Sequence, residues 1–376
     1  MPRSRVVFIV LGLLSLLHFY IGMRLIPAMS LPDWGVGIGI VLLILSTLLM
    51  PMGLVASRSR KGADQLAWLG LVAMGFFSSL LVLTLARDLA LIVASLFGAA
   101  TAGLERGSAM AVPLIALSVT LLGYINARRV AKVVEVEVPI AGLPPAFHGY
   151  RIVQISDVHV GPTIKRGYLN AIVTKVNALA PDAIAITGDL VDGSVKRLSL
   201  HTEPLARLSA KDGAFFVTGN HEYYSGAGDW IAEMRRLGLT VLLNEHVVRE
   251  RDGVALMIAG VTDFTAHQFD ESHRSDPKAA AAGAPDNVRV RVLLAHQPRS
   301  APAAAAAGFD LQLSGHTHGG QFFPWNLFVP LQQPFTSGLN RLSQLWVYTS
   351  RGTGYWGPPK RFGAPSEITS VRLVPA

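Results

Sequence analysis

Leu311-Gln-Leu-Ser-Gly-His-Thr-His-Gly-Gly-Gln321 is the stretch on which the reading turns. A short apolar run, Leu311 to Ser314, reads as a strand, and Gly315 then breaks it into two histidines one residue apart. The same design recurs upstream. Runs at 150–156, 183–187, 214–218 and 288–295 lead into Ser156-Asp157-Val158-His159, Gly188-Asp189-Leu-Val-Asp192, Gly219-Asn220-His221-Glu222 and Ala295-His296. Helix-like stretches lie between them at 168–179, 229–237 and 302–307, the last stopped by Gly308. Strands alternating with helices predict an α/β sheet. Residues 247–250 and 254–259 flank Arg251-Asp252-Gly253, a hairpin turn, and 344–350 and 367–373 add late strands. Val134-Glu-Val-Glu-Val138 alternates as a half-exposed strand, and 139–149, with three Pro and two Gly, reads as a linker. Residues 279–285 read as a low-complexity loop with little apolar surface to hold it down.

In open α/β sheets, ligands bind beyond the carboxyl ends of the strands. Five strand ends here bring Asp157, His159, Asp189, Asn220, His296, His316 and His318 to one rim. Carboxylate and amide oxygens mixed with imidazole nitrogens, and no thiolate, form a donor set for divalent metals. One carboxylate can bridge two ions, and two ions about 3.5–4 Å apart activate a water and clamp a phosphoryl oxygen. Each motif alone has a bland reading: D-x-H arises by chance, Gly-Asp is a turn, and Gly-Asn-His is a cap. In this order, each after a strand, they point to a metal centre. Five of the 11 histidines fall in these motifs. His148, His201, His246, His267 and His273 read as loop or surface residues.

The first third of the chain is of another kind. Of 376 residues, 51% are hydrophobic and 15% charged, against an average nearer about 25% charged for soluble domains. Residues 1–132 carry 11 Lys/Arg and 4 Asp/Glu, whereas 133–376 carry 22 and 21. The net +8 therefore belongs almost wholly to the first third, which argues against a nucleic-acid surface on the remainder. The absence of cysteine excludes a disulfide scaffold. Stretches at 6–23, 35–57, 65–86 and 108–126 lack Asp, Glu, Lys and Arg and are long enough to cross a bilayer. A fifth, 89–104, is shorter and is expected to be an interfacial or re-entrant segment. His18 is the one titratable group within the four spans and is expected at an interface. With four spans, Arg3 and Arg5, then Arg58, Arg60 and Lys61, then Arg128, Arg129 and Lys132 fall on one side, predicted to be cytoplasmic. The expected division is a transmembrane region at 1–130, a strand and linker at 131–149, and a catalytic domain at 150–376.

The motif set resembles the calcineurin-like metallophosphoesterase superfamily over residues 148–374. The run from Leu311 to Gln321 is similar to a bacterial membrane-anchored subgroup often called YkuE/YaeI-like. So is the tail Tyr348-Thr-Ser-Arg-Gly-Thr-Gly354 with Arg361-Phe362 and Ser366-Glu367-Ile368, although Ser366 stands where relatives often have Pro. The resemblance implies an α/β/β/α sandwich with mixed sheets behind four transmembrane helices. It implies two divalent ions (Mn, Fe or Zn). Asp157, His159 and His318 would bind the first, Asn220, His296 and His316 the second, and Asp189 would bridge them. His221 would act unligated as the group that protonates the leaving oxygen, since a general acid needs its proton and a ligand histidine its lone pair. Glycines 188, 219 and 315 would let the backbone approach the ions. Asp192 would orient a ligand histidine.

The implied activity is that of a multi-pass inner-membrane phosphohydrolase, a phosphodiesterase or pyrophosphatase. The competing reading is a membrane scaffold or sensor whose domain binds metal without turnover. Beyond His318, the segment 321–331 holds seven large apolar side chains and two prolines, which disfavour a regular element. It reads either as a loop folded on its own core or as an apolar groove for a lipid-linked phosphoester. Phe323, Trp325 and Phe328, with Arg351, are the candidate substrate contacts.

Overall fold

The computed structural model describes residues 3–58 and 63–376. Arg60 and Lys61, counted above in a basic cluster, lie outside the described residues. Two compact units result, one of residues 1–125 with 357–362, the other of 126–356 with 363–376.

The first unit is built on helices α1 (Arg3–Leu25), α2 (Asp33–Arg58), α3 (Asp64–Leu96) and α4 (Ala102–Arg128). All four are long and apolar enough to cross a membrane. Helices α2 and α3 touch backbone to backbone: a Cβ built on Gly53 would lie 2.6 Å from Gly70 Cα. Small residues of this kind let apolar helices pack where no hydrophobic effect drives them. The segment expected as an interfacial piece, 89–104, is not separate. No Gly or Pro interrupts residues 89–96, so α3 continues through them, turns with Gly98 at φ 67°, and α4 begins at Ala102. His18 is buried among the helices, with its polar atoms satisfied there: Nδ1 lies 2.9 Å from Leu14 O, Nε2 3.0 Å from Ser46 Oγ, and the ring stacks on Phe77. Lys360 is also buried in this unit, donating to Gly75 O at 2.8 Å and to the hydroxyls of Ser79 and Thr120. Hydropathy alone gave no sign of an ammonium supplied from 357–362.

The second unit holds two six-stranded mixed sheets. Its strands are β1 (Lys132–Ile140), β2 (Arg151–Ile155), β3 (Ala183–Thr187), β4 (Ala214–Val217), β5 (Thr240–Val241), β6 (Glu245–Arg251), β7 (Val254–Gly260), β8 (Val288–Leu294), β9 (Leu311–Ser314), β10 (Gly338–Leu342), β11 (Leu345–Thr349) and β12 (Glu367–Pro375). One sheet runs β1-β12-β2-β3-β4-β5 and the other β10-β11-β9-β8-β7-β6. Period-two alternation sends side chains to opposite faces. In β3, Ile184 and Ile186 enter the core beneath helices α5 (Arg166–Asn177), α6 (Val195–Thr202) and α8 (Ala227–Arg236), while Ala183 and Ala185 enter the core between the sheets. Val290, Val292 and Leu294 of β8 face that inter-sheet core from the other side. The product is the expected sandwich with mixed sheets.

Strand β1 pairs in parallel with β12 along its whole length, so it is part of the first sheet, and its last two residues reach into the segment read as linker. The hairpin at Asp252 (φ 52°) and Gly253 (φ 78°) joins β6 and β7 as expected. Residues 279–285 are not simply a loop. Asp276 caps a short helix, α9 (Pro277–Ala281), through the N–H groups of Lys278 and Ala279, and Ala280 is buried against the second sheet.

Candidate metal centre

The carboxyl ends of β2, β3, β4, β8 and β9 converge. Gln154 Nε2, on β2, donates to Ser314 O at the end of β9, joining the two sheets at this rim. Past the strand ends the backbone is forced into unusual shapes: Asp157, His159, Asp189, His316 and His318 have φ of 53°, 55°, 52°, 70° and 51°. A non-glycine residue in that region costs on the order of 1–3 kcal/mol and clusters at functional sites.

Each carboxylate and ring is held in place. The N–H of His316 donates to the Asp157 carboxylate at 3.0 and 3.1 Å, and the N–H of His221 donates to Asp189 Oδ1 at 2.8 Å. His296 Nδ1 lies 2.7 Å from Thr187 O, which fixes its proton there and leaves the Nε2 lone pair free to bind. His159 Nδ1 lies 3.0 Å from Asp192 Oδ1 with the same consequence. Asp192 Oδ1 also lies 2.6 Å from His221 Nδ1, so one oxygen steadies two imidazoles.

Three groups of donor atoms converge within 4.8 Å: Asp157, His159 and His318; His159, Asp189 and His221; and Asp189, His296 and His316. His159 Nε2 and His318 Nε2 are 3.1 Å apart, and His296 Nε2 is 3.2 Å from both Asp189 Oδ2 and His316 Nδ1. Neighbouring ligands on an ion with bonds near about 2.1 Å have such separations. Asn220 Oδ1 is buried and has no hydrogen-bond partner, a costly state that a cation would relieve. The donor set thus suits divalent cations. Six of the seven expected metal-site residues, Asp157, His159, Asp189, His296, His316 and His318, fall in these groups, and so does His221, which the sequence reading leaves unligated.

Electrostatics carry the same message. Burial raises Asp157, and the Asp189 charge adds to it. Burial would raise Asp189 as well, but the His296 and His221 imidazoles outweigh it and hold this carboxyl well below its ordinary value. Burial would lower His221, yet Asp189 and Asp192 push it up to about 9. His316, by contrast, is driven down to about 3 by burial and by His296. Buried carboxylates compensated by imidazolium are groups a metal ion can compensate in their place.

The glycine expectation gains a definite cause. A Cβ on Gly219 would collide with the Asp189 carboxylate, one on Gly315 with Ser156 Oγ and Asp157 Oδ2, and one on Gly188 with the Gly219 backbone. The glycines admit the Asp157 and Asp189 carboxylates and a neighbouring strand end. Glu222 was quoted in its motif but given no role. Its buried carboxylate accepts from the N–H groups of Gly219 at 2.7 Å, Asp189 at 2.9 Å and Leu190 at 2.8 Å, tying the β3 and β4 ends together. Burial, with the Asp189 charge, raises it to about 8. The only available sequence signal was an acidic residue directly following Asn220-His221.

Beside His316 and Thr317 lies a cavity of about 220 Å³ walled by Trp325, Phe328, Val329, Gln332 and Gln333. Phe323, Trp325 and Phe328 are 56%, 44% and 52% exposed, so the segment 321–331 is not folded wholly onto its own core. The Arg351 guanidinium is paired with Glu367 at 3.2 Å, and its stem covers Gly319.

Residues 150–320 match the family profile described as calcineurin-like phosphoesterase. An uncharacterised metallophosphoesterase of Campylobacter jejuni is 32% identical over 372 residues, 97% of each chain. A transmembrane protein with metallophosphoesterase domain from Danio rerio is 40% identical over 271 residues, 70% of this chain and 62% of that one. The uncharacterised metallophosphoesterase YkuE of Bacillus subtilis is 29% identical over 239 residues, 61% of this chain and 81% of that one.

Proposed function

We propose, from the premise that the chain belongs to the calcineurin-like phosphoesterase family, that it is a membrane-anchored phosphodiesterase or pyrophosphatase with a two-metal centre. The observation that carries this reading is the convergence of Asp157, His159, Asp189, His296, His316 and His318 on two donor groups, with the buried and unpartnered Asn220 Oδ1 in the same motif set. Asp157, His159 and His318 would hold one ion, Asn220, His296 and His316 the other, and Asp189 both. Mn, Fe and Zn all suit this mixture of oxygen and nitrogen donors. Bound there, the ions would make a water nucleophilic at neutral pH and neutralise charge on the phosphoryl oxygens.

The chain's own residues do the rest. Asp192 and Thr187 fix the tautomers of His159 and His296, so that the nitrogens facing the site carry lone pairs. His221, its Nδ1 steadied by Asp192 Oδ1 at 2.6 Å and its pKa raised by the neighbouring carboxylates, would deliver a proton from Nε2 to the leaving oxygen. Trp325 and Phe328 offer an apolar wall for the organic part of the substrate, which makes an amphipathic, lipid-linked phosphoester the best-suited class. The clustering of basic residues on one side of four spans supports a catalytic domain facing the cytoplasm from the inner membrane.

Purified full-length protein loaded with Mn, Fe or Zn should hydrolyse bis(4-nitrophenyl) phosphate and lose that activity on chelation. It should favour a long-chain over a short-chain form of one headgroup, and Trp325→Ala/Phe328→Ala should erase the preference. Absence of diester turnover with both ions bound would refute the activity. A chain-length preference that is absent, or unchanged in the double variant, would refute the lipid-linked class.

A further inference from the structure

Two exposed aromatic rings stand beside His221 and have no part in the metal centre. The Tyr224 ring lies 5.2 Å from the His221 ring at 65°, and the Trp356 ring lies 5.8 Å from it at 75°. Both stand steeply to the imidazole, and they are 63% and 52% exposed. Tyr224 is placed by helix α7 (Asn220–Ser225), on which it falls three residues after His221 and so on the same face. Trp356 is clamped through its backbone: its N–H donates to Gln321 Oε1 and its carbonyl accepts from Gln321 Nε2, both at 2.8 Å. Among the described residues, neither the Tyr224 hydroxyl nor the Trp356 indole N–H has a hydrogen-bond partner. An uncovered indole held by its backbone next to the half-buried imidazole of the proposed proton donor lacks a packing explanation. Its flat face and free polar edge suit a ring that carries polar groups better than an acyl chain.

We infer that Tyr224 and Trp356 form the leaving-group subsite, and that they select a phosphodiester whose departing alcohol carries a ring with an apolar face and a polar edge, a sugar or a nucleobase-like group. The inference rests on the phosphodiesterase reading and deepens it by assigning the two ends of the substrate. The leaving oxygen must lie at His221, because that ring gives it a proton. The departing alcohol therefore lies against Tyr224 and Trp356. The retained ester group takes the opposite wall, beside His316, where Trp325 and Phe328 line the 220 Å³ cavity. In the step itself, the water oxygen forms a new P–O bond and the P–O bond to the ring-bearing alcohol breaks. The bonding pair goes to the leaving oxygen, which takes the proton from His221 Nε2. The proton lost by the water is released to solvent, and solvent reprotonates His221. For an amphipathic substrate the phosphate stays with the apolar part and the ring departs.

The test uses full-length protein loaded with metal and two methyl phosphodiesters with leaving alcohols of similar acidity, 4-chlorophenol with a ring and hexafluoroisopropanol without one. Turnover is followed by phosphorus NMR. The quantity read is the ratio of kcat/KM for the ring-bearing over the acyclic diester. Wild type should favour the ring by about tenfold or more, the scale of one aromatic contact, and Trp356→Ala should collapse the ratio by a similar factor. Trp356→Phe should restore most of it, and Tyr224→Ala should lower it in a side chain too exposed to affect folding. Trp325→Ala should leave the ratio as in wild type, since it touches the retained group. Independently of turnover, the methyl ester of 4-chlorobenzylphosphonic acid, with carbon in place of the leaving oxygen, should bind Trp356→Ala about tenfold more weakly by calorimetry. A ratio unchanged in both Trp356→Ala and Tyr224→Ala, or one that shifts with Trp325→Ala instead, would overturn the assignment while leaving the phosphodiesterase reading intact. No turnover of either diester would overturn both.

Discussion

Asp192 touches both a candidate metal ligand, His159, and the proposed proton donor, His221, and its removal should damage both roles in a measurable proportion. Its Oδ1 stands 3.0 Å from His159 Nδ1 and 2.6 Å from His221 Nδ1. In Asp192→Ala, His159 loses the acceptor that fixes its tautomer. Loss of such an outer carboxylate costs about 10–100-fold in metal affinity, or about 1.4–2.7 kcal/mol. His221 loses one of the three carboxylates, Asp189, Asp192 and Glu222, that raise it against the opposing effect of burial. Its pKa therefore falls. A general acid works only while protonated, so rate is lost as pH rises through that pKa, and the descending limb of the pH profile moves to lower pH. Asp192→Asn keeps an oxygen acceptor without the charge and should fall between wild type and Asp192→Ala on both measures. Metal content after dialysis against buffered free metal gives the first quantity, and kcat across pH with the ions saturating gives the second. Wild-type affinity together with an unmoved descending limb in Asp192→Ala would refute the coupling.

His221→Ala should retain both metals yet lose roughly 10²–10⁴-fold in rate; loss of an ion in metal analysis would make His221 a ligand, as its proximity to His159 and Asp189 allows. Asp189→Ala should abolish both metal binding and activity, because in the proposed centre one carboxylate would serve both ions; full metal content would disprove the shared role. Gly315→Ala places a methyl group on Ser156 Oγ and the Asp157 carboxylate and should cost at least about 1–3 kcal/mol and displace a metal ligand, read by denaturant unfolding and metal content. For orientation, a C-terminal alkaline phosphatase fusion should be inactive and a fluorescent-protein fusion bright, and the reverse pattern would place the catalytic domain outside.

The strands that carry the site were legible because each is buried on both faces where it approaches the site. Ala183–Thr187 and Leu311–Ser314 read as unbroken runs, and their ends fell where the residues changed from apolar to polar. Elements with weak patterns were missed: β5 is two residues long, and α6 mixes Lys, Arg and His on its open face. The run 89–96 was misjudged because Arg87 and Asp88 looked like the end of a span. Instead, Arg87 donates to Ser108 Oγ and Glu105 O, and Asp88 accepts from Tyr20 and Arg24, so the charges are satisfied within one continuous helix. The Ser46 and Phe77 partners of His18 were likewise invisible, since hydropathy does not report pairwise contacts. Tyr224 and Trp356 were beyond reach. Their meaning lies in proximity to His221, which for Trp356 joins residues 135 positions apart in sequence.

The motif residues that are not candidate ligands explain why the motifs are contiguous at all. Asp189 must approach the β4 end closely enough for the His221 N–H to reach its Oδ1, and the position before Asn220 must then lack a Cβ. Closing that approach strands N–H groups at both strand ends, because neither loop can continue the sheet pairing. Glu222 collects three of them, from Gly219, Asp189 and Leu190, in one carboxylate. An acidic residue is suited to this because each of its two oxygens accepts more than one hydrogen bond. In the proposed mechanism Gly219, Asn220, His221 and Glu222 would thus perform four separate tasks within one turn: clearance, metal donation, proton delivery and backbone anchorage. None of these can be moved by a residue without breaking the others, so the sequence signature is compact because the geometry leaves no alternative placement.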